Sequence, residues 1–253
     1  MNELSIKEFR ERKHWDAFAQ KYDSLYKYRE PFTKYKIAKK VRDFTSALKE
    51  YQFTGKKIKM LEIGCGTGEY TKKIAKVLPL AQIVGLDISS KIIREAELKC
   101  RGCHNVSFIA ESVYHNRFRD SSFDVVYGYY VLHHLIAKKA LDEIYKLLKP
   151  GGIAYFCEPN ILNPVVYIIK SSPWIKERIG DTQDEWAINP LGFKKYRNKF
   201  KILKISFSEY VLQTYSLPIS FIIRLDKLTS FLRKIPVIKY LGGSTQILLQ
   251  KHG

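Results

Sequence analysis

A regular alternation of short apolar segments with amphipathic ones fills the middle of this 253-residue chain. The apolar segments are interpreted as strands over residues 57–63, 82–87, 106–110, 123–127 and 153–157. Helical spacing of apolar residues lies between them, over residues 70–78, 90–101 and 137–148. Parallel strands need such crossover helices, and near-continuous apolar strands fit a sheet that is covered on both faces. The alternation predicts an α/β fold with a Rossmann-like, doubly wound and mostly parallel sheet.

The flanks of this region complete the predicted organisation. Residues 1–50 are expected to form an N-terminal helical cap, which Pro31 divides into two helices. The α/β domain then covers residues 51–253, with its core at 56–160 and cap or insertion segments at about 161–192 and 211–243. A helix is predicted over residues 193–200, and strands over 202–210 and 245–250 bring the sheet to seven strands.

The net charge of +19 comes from 44 basic and 25 acidic residues. The surplus lies at both ends of the chain, because residues 60–158 are nearly neutral. Basic flanks favour an anionic partner, such as nucleic acid, a phosphorylated small molecule or a membrane surface, although a lysine-rich composition explains them equally well. The sequence has neither an export signal nor an apolar stretch of the roughly 18 residues that a membrane span needs. A cytoplasmic location is therefore expected, with peripheral membrane contact as the alternative.

The cysteines give no sign of a metal or haem site. Cys65, Cys100, Cys103 and Cys157 are expected to be reduced in a cytoplasmic protein. Cys100 and Cys103, followed by His104, match the CxxCH spacing of haem attachment, but the expected cytoplasmic setting argues against that modification. A single CxxC pair is also a poor zinc site. No metal is expected.

The turn from Gly64 to Gly68, with the sequence GCGTG, follows the first strand directly. Alternate glycines let the backbone bend sharply and approach a ligand closely, and the next helix begins with free N–H groups. A P-loop would need a lysine that is absent, and a GxGxxG dinucleotide turn would need glycine in place of Glu69. Asp87 ends the second strand, where an acid accepts hydrogen bonds from ribose hydroxyls. Together these residues predict a site for a ligand that contains a nucleoside.

Four blocks in sequence order carry a more specific signal. They are LEIGCGTGEYT at 61–71, GLDIS at 85–89, SSFDVVYGYYVLHHL at 121–135 and LLKPGGIAYFCEPN at 147–160. In this order and spacing they resemble the signature motifs of class I S-adenosylmethionine-dependent methyltransferases of the type 11 kind. The resemblance is strong over residues 50–160 and weak at the start of the chain, over 14–23.

The resemblance implies S-adenosylmethionine as the cofactor and assigns residues to it. The methionine half would be lined by the glycine turn and its strand: Glu62, Gly64, Cys65, Gly66 and Gly68. Two residues after the fourth strand, Gly128 and Tyr129, would approach the same end. Tyr22 matches a tyrosine that closes over the cofactor in some members, although a core aromatic is an equally good interpretation.

The nucleoside half has its own set of implied contacts. Asp87 would bind the ribose and Ile88 would pack on the adenine. Ser112 and Val113 fall beside the adenine amino group, where the family often has an acidic residue and a small one. Because Ser112 replaces the acid, a backbone contact from Val113 is the remaining way to bind that amino group.

Methyl transfer from a sulfonium releases a neutral thioether, so catalysis reduces mainly to aligning the acceptor and excluding water. A hydroxyl acceptor also needs a base. His133 and His134 follow the fourth strand at the edge where open α/β sheets bind ligands, and either is a candidate base. Both histidines have packing as the alternative interpretation. Tyr130 is a candidate for orienting the acceptor.

Several hypotheses about the acceptor remain open. Residues 217–241 alternate apolar and basic side chains at helical spacing, which fits a cap helix, a membrane or lipid-linked substrate, or a protein partner. The NPPY-type tetrapeptide and the cysteine nucleophile of two classes of nucleobase methyltransferase are both missing. The favoured function is methylation of a small-molecule, saccharide or lipid-linked acceptor, with oxygen as the favoured methylated atom. The alternatives are an RNA (tRNA) methyltransferase and a non-catalytic cofactor-binding partner subunit.

Overall fold

The computed structural model describes residues 3–179, 181–182, 185–211 and 217–253. The predicted cap segments at 161–192 and 211–243 therefore include positions outside the described residues, namely 180, 183–184 and 212–216.

Seven strands form one sheet in the order β3-β2-β1-β4-β5-β7-β6. The strands are β1 Ile58–Ile63, β2 Ala81–Asp87, β3 Val106–Ala110, β4 Phe123–Tyr129, β5 Leu148–Pro159, β6 Phe200–Ser208 and β7 Ser244–Lys251. The first five are parallel, whereas β7 runs antiparallel to both β5 and β6. The predicted Rossmann-like, mostly parallel sheet is confirmed.

The helices lie before, between and after these strands. They are α1 Glu3–Phe18, α2 Tyr22–Leu25, α3 Pro31–Glu50, α4 Glu69–Val77, α5 Ser90–Lys99, α6 Ala137–Leu147, α7 Pro164–Ser171, α8 Pro173–Ile179 and α9 Ile219–Thr229. Pro31 stands at the first turn of α3, where its missing N–H costs nothing. The hydroxyl of Ser89 accepts a hydrogen bond from the backbone of Ile92 and caps α5, as the sequence predicts.

The sheet is buried on both faces. On one face α3 inserts Phe44, which is fully buried and packs between the rings of Tyr127 and Tyr155 at centroid distances of 4.9 Å. On the other face α6 buries Leu141 and Ile144 against β4 and β5. This double cover explains why the strands are apolar along their whole length instead of alternating.

Three local predictions are wrong. The fourth strand continues to Tyr129, so Gly128 and Tyr129 lie in the strand and not after it. The helix predicted over residues 193–200 is a 3₁₀ segment, Pro190–Tyr196, which Asn189 caps and Gly192 weakens as an α-helix. The helical spacing over 217–241 yields a helix only to Thr229, followed by 3₁₀ turns on either side of Pro236, which interrupts helical hydrogen bonding.

The strand order locates the edge of the sheet at which a ligand is expected to bind. The carboxyl ends of β1, β2 and β4 meet where the strand order reverses, and open α/β sheets bind ligands at that point. The helices of residues 3–50 and the segments after β5 lie around this edge. Within the described part of the chain, no helix is both long and apolar enough to cross a membrane.

Candidate functional site

The glycine turn after β1 has the backbone conformation that its sequence predicts. Gly64 and Gly66 have φ values of +62° and +52°, a region that L side chains rarely adopt. A Cβ at Gly66 would lie 2.7 Å from the hydroxyl oxygen of Tyr22, and a Cβ at Gly64 would lie 2.4 Å from a methyl of Val131. Glycine is therefore required at these positions by both conformation and space.

Asp87 ends β2 beside this turn. Its two oxygens accept hydrogen bonds from the backbone N–H groups of Gly66 (3.1 Å) and Ser89 (3.0 Å). Burial raises the pKa of Asp87 to about 6, against the lowering effect of these donors. Each carboxylate oxygen has a second lone pair, so Asp87 can still accept hydrogen bonds from a ligand.

Glu62 is almost fully buried beneath the turn. The hydroxyls of Thr71 (2.5 Å) and Tyr127 (3.1 Å) donate to its Oε2 atom. Burial raises the pKa of Glu62 to about 8, so that the group is mostly neutral at pH 7. A cationic ligand group beside Glu62 would lower this pKa and so favour the ionised carboxylate.

The N-terminal helices cover the turn with aromatic side chains. The ring of Tyr22 lies 4.7 Å from that of Tyr26 and 5.7 Å from that of Trp15, measured between centroids. Tyr28 lies 5.9 Å from Tyr26 in a stacked arrangement. Tyr22 therefore belongs to an aromatic cluster that also borders the cavity, and its predicted contact with the cofactor stays a prediction.

One cavity of about 980 Å³ lies between the sheet edge and this aromatic cover. It brings together most of the residues predicted for the site: Tyr22, Glu62, Gly64, Cys65, Asp87, Ile88, Ser112, Val113, Tyr129, Tyr130, His133 and His134. The remaining three, Gly66, Gly68 and Gly128, do not line it. These three glycines act through close packing, since a Cβ on any of them would lie within 3.1 Å of a neighbouring side chain.

The two ends of the cavity differ in character. Ile88, Ser112 and Val113 form one wall, where the hydroxyl of Ser112 accepts a hydrogen bond from the backbone N–H of Tyr114 (3.1 Å). Tyr129 lies toward the other end and stacks on Tyr70 with ring centroids 3.9 Å apart. The buried hydroxyl of Tyr129 has no hydrogen-bond partner within the described residues. An unsatisfied buried hydroxyl on the cavity wall indicates a polar contact that a ligand would supply.

His133 is held in place by a carboxylate at the end of β5. Its Nδ1 atom lies 2.7 Å from Oε2 of Glu158. The other oxygen of Glu158 accepts hydrogen bonds from the backbone N–H groups of Val131 (3.1 Å) and Leu132 (2.9 Å). Because Glu158 is fixed by these donors, it also fixes the His133 ring, and its ionised form favours a proton on Nδ1. Burial raises the pKa of Glu158 to about 7, so the ionised and neutral forms are both populated near neutral pH. The Nε2 atom of His133 lies 3.8 Å from Oε2 of Glu185, which also lines the cavity.

The neighbouring histidine has the opposite electrostatic surroundings. The Nδ1 atom of His134 lies 3.3 Å from Oε2 of Glu11 and 3.2 Å from Oε1 of Glu185. Burial lowers the pKa of His134, but these two carboxylates outweigh it and the net shift is upward. For His133, burial and the charge of His134 hold the pKa well below its ordinary value. The two pKa values therefore shift in opposite directions, so that the charged form is favoured for His134 and the neutral form for His133.

Tyr130 lies in a separate polar cluster at the cavity wall. Its hydroxyl is within hydrogen-bond distance of Oε2 of Glu209 (3.2 Å) and of the Ser244 hydroxyl (3.0 Å). Glu209 also pairs with Lys36 (2.9 Å) and Lys40. Burial raises the pKa of Tyr130 well above 10, and the nearby Glu209 adds to the shift. Tyr130 is therefore a neutral phenol suited to orienting a ligand and unsuited to removing a proton.

Among the carboxylates that were not predicted from the sequence, four contact the histidine pair or Tyr130: Glu11, Glu158, Glu185 and Glu209. Glu158 had a usable signal, because it ends the fifth strand as Asp87 ends the second. The other three lie in the helical cap or in irregular segments after β5, where no spacing rule connects them to the histidines. Their role depends on tertiary packing alone.

Comparison with known proteins identifies the central region. Residues 61–156 match the family described as a methyltransferase domain. An uncharacterized methyltransferase of Schizosaccharomyces pombe is 32% identical over 125 residues, which cover 46% of this chain and 45% of that protein. A demethylmenaquinone methyltransferase of Geobacillus stearothermophilus is 34% identical over 106 residues, which cover 40% of this chain and 45% of that protein.

A solved structure extends the similarity in fold to the whole chain. The plantazolicin methyltransferase BpumL, solved with a triazolic desmethylPZN analog and S-adenosylhomocysteine (SAH), superimposes with a TM-score of 0.61. The alignment covers 99% of this chain and 98% of that one at 22% identity, which supports a shared fold. By contrast, the chain spans about half the length of the curated relatives it matches.

Proposed function

The chain belongs to the class I S-adenosylmethionine-dependent methyltransferase superfamily, and from this premise we propose that it transfers a methyl group to a hydroxyl of a small-molecule, saccharide or lipid-linked acceptor. The observation that carries the proposal is a single cavity that is lined by both Asp87 and the neutral His133.

The residues around the glycine turn fit S-adenosylmethionine. The methionine ammonium would lie beside Glu62, whose buried carboxyl needs a cation to become charged. Asp87 would accept hydrogen bonds from the ribose hydroxyls, with Ile88 against the adenine. The unsatisfied hydroxyl of Tyr129 offers a further polar contact. When bound, this cofactor supplies a methyl group on a sulfonium, which leaves as a neutral thioether.

His133 is the residue that we assign to proton removal. Its lowered pKa keeps the ring neutral at pH 7, and Glu158 on Nδ1 leaves the lone pair of Nε2 available. The Nε2 atom of His133 and the Oε2 atom of Glu185 are 3.8 Å apart. An acceptor hydroxyl that lies against both atoms could pass its proton to the imidazole. Ionised Glu158 would then stabilise the imidazolium that forms, because opposite charges 2.7 Å apart attract strongly when buried.

The space in the cavity supports an acceptor of substantial size. Pockets for single small ligands range from about 300 to 1,000 Å³, so about 980 Å³ lies at the upper end of that range. Besides its apolar and aromatic lining, the cavity is bordered by the charged side chains of Lys36, Lys170, Arg178 and Glu209. Such side chains suit the hydroxyls of a saccharide or a polar head group better than a flat apolar ring.

The first experiment tests the cofactor and the acceptor class together. We expect both S-adenosylmethionine and SAH to bind the intact protein saturably in calorimetric titrations. Incubation of the protein with methyl-labelled S-adenosylmethionine and fractionated cell extract should then label the saccharide or lipid fraction, in material that resists mild acid as an ether does. Label in the RNA fraction would refute the proposed acceptor, and absence of binding by folded protein would refute the proposed cofactor.

Cofactor binding at pH 7 should release a proton from Glu62. The pKa of this carboxyl is raised to about 8 by burial, so the group starts mostly protonated, and an adjacent ammonium lowers the pKa. Titrations of SAH in phosphate and in Tris at the same pH should therefore give enthalpies that differ by the ionisation enthalpies of the buffers. Glu62→Gln, which keeps the shape of the side chain, should remove the difference; equal enthalpies for the unmodified protein would contradict the assignment.

A further inference from the structure

The segment from Leu217 to Leu241 turns apolar side chains toward solvent. In α9, Ile222 faces inward and is 1% exposed, whereas Phe221 and Leu228 are 51% and 67% exposed. The exposed series continues beyond the helix with Phe231 at 52% and Val237 at 76%. A helix that only capped the domain would direct its apolar residues inward, and the exposed Phe221 and Leu228 depart from that packing.

Hydrogen bonds connect this segment to the start of α7. The side-chain amides of Asn160 and Asn163 donate to the carbonyls of Tyr240 and Leu241, the first at 2.8 Å. Next to this junction, α7 exposes Val165 (40%) and Ile168 (61%). We call the combined set the apolar–basic surface, and its apolar members are Val165, Ile168, Phe221, Leu228, Phe231, Val237, Ile238 and Leu241.

The charges on this surface are almost all positive. From residue 210 to the last residue, the sequence has a single acidic residue, Asp226. Asp226 is already bound by Lys39 (2.7 Å and 2.5 Å) and by the hydroxyl of Tyr35 (2.7 Å), both on α3. The basic side chains of the same segment are Arg224, Lys227, Arg233, Lys234 and Lys239. The surface therefore joins exposed apolar groups to five basic side chains, while the single acidic residue of the segment is bound by Lys39 and Tyr35 of α3.

We propose that the apolar–basic surface docks the protein onto the interface of an anionic lipid bilayer. A bilayer interface accepts apolar side chains at its acyl boundary and holds lysine and arginine against its head groups. The charge complementarity favours an anionic lipid surface over a second copy of this chain, whose equivalent surface would carry the same positive charge.

The same elements border the cavity, which connects the surface to the proposed function. Ile169 and Lys170 of α7, and Arg178 and Ile179 of α8, line the cavity, while other residues of these helices face solvent. A docked protein would therefore hold the cavity next to the head-group layer. This second step rests on the proposed methyl transfer and narrows its acceptor to a lipid-linked molecule; the docking itself does not depend on it.

Vesicle binding tests the docking directly. The protein should cosediment with vesicles of phosphatidylcholine containing about 30% phosphatidylserine and bind at least tenfold more weakly to phosphatidylcholine alone. The paired change Phe231→Glu and Val237→Glu should lower binding to the anionic vesicles more than tenfold, because it places carboxylates at two of the most exposed apolar positions. The paired change Val77→Glu and Leu98→Glu is the matched control, since these residues are 54% and 50% exposed on α4 and α5.

The outcomes separate docking from methyl transfer. All variants should bind SAH as the unmodified protein does, which shows that the fold and cofactor site are intact. Vesicle binding that is unaffected by the Phe231 and Val237 changes, or equal on both lipid compositions, would overturn the proposal. Light scattering provides the remaining check: a dimer that the same two changes convert to a monomer, without vesicle binding, would assign the surface to self-association. SAH binding would be unaffected by any of these results.

Discussion

Replacing His133 with alanine should reduce the turnover of the labelled acceptor by about 10²- to 10⁴-fold, the usual contribution of a positioned general base. The expectation rests on two observations. Glu158 fixes the ring through Nδ1 at 2.7 Å, and burial with the adjacent His134 lowers the pKa of His133 well below its ordinary value. Affinity for SAH should change little, because proton removal acts on the acceptor and not on the cofactor.

The pH dependence gives an independent readout of the same role. A base must be unprotonated to act, and the lowered pKa of His133 keeps it so throughout the neutral range. Burial raises the pKa of Glu158 to about 7, and its ionised form is the one that holds the proton on Nδ1 of His133. The rate should therefore fall as the pH drops through about 7, whereas protonation of His133 itself should limit the rate only at more acidic pH. Glu158→Gln should shift that acidic limb with a smaller loss of rate, as expected of a positioning residue.

His104→Ala is the matched control, because His104 is exposed and lies outside the cavity. Its turnover should equal that of the unmodified protein. If His133→Ala retained more than about a tenth of the normal turnover, the base assignment would be wrong, and the histidine would serve only to shape the pocket.

The order of strands and helices along the chain was sufficient to predict the sheet, because each apolar run had to be buried on both faces. The same logic predicted the glycine turn and Asp87, since residues that end parallel strands meet at one edge of the sheet. These features follow from local sequence and from one topological rule. That is why twelve of the predicted site residues line a single cavity.

The electrostatics of the histidine pair could not be derived in this way. The sequence gives no reason to distinguish His133 from His134, which are adjacent residues of the same type. Their pKa values shift in opposite directions because burial and the charge of His134 lower that of His133, whereas Glu11 and Glu185 raise that of His134. Glu11 comes from α1 and Glu185 from the irregular segment after α8. No periodicity links such distant residues, so their convergence is a property of the packed structure.

For segment 217–241, helical spacing also left a question that only the packed structure answers. Spacing reveals that apolar residues share a face, but it does not reveal whether that face points inward or outward. The sequence therefore left packing, membrane contact and a protein partner open. Exposure of Phe221 and Leu228 beside the buried Ile222 supplies the missing direction.

Asp87→Ala should weaken binding of SAH by about 1–3 kcal/mol, which corresponds to roughly 5- to 150-fold in the dissociation constant. The change removes the acceptors for the ribose hydroxyls and also leaves the backbone N–H groups of Gly66 and Ser89 without their present partner. Both effects act on the ligand-bound turn, and calorimetric titration measures their sum.

Protonation of Asp87 should also weaken the binding of SAH, but less than its replacement by alanine. The carboxylate form of Asp87 is the one that accepts two hydrogen bonds, and burial raises its pKa to about 6. Affinity for SAH should therefore fall as the pH drops through about 6. Glu62 titrates separately, near pH 8, so its contribution appears on the alkaline side of neutrality.

Asp87→Asn distinguishes charge from shape, since the amide keeps one acceptor and nearly the same volume. Its affinity should lie between those of the unmodified protein and Asp87→Ala, and the acidic decrease should vanish. An acidic decrease that persisted in Asp87→Asn would assign the titration to another group and would leave Asp87 as a support for the turn alone. Persistence of full affinity in Asp87→Ala would remove the ribose contact from the proposed site altogether.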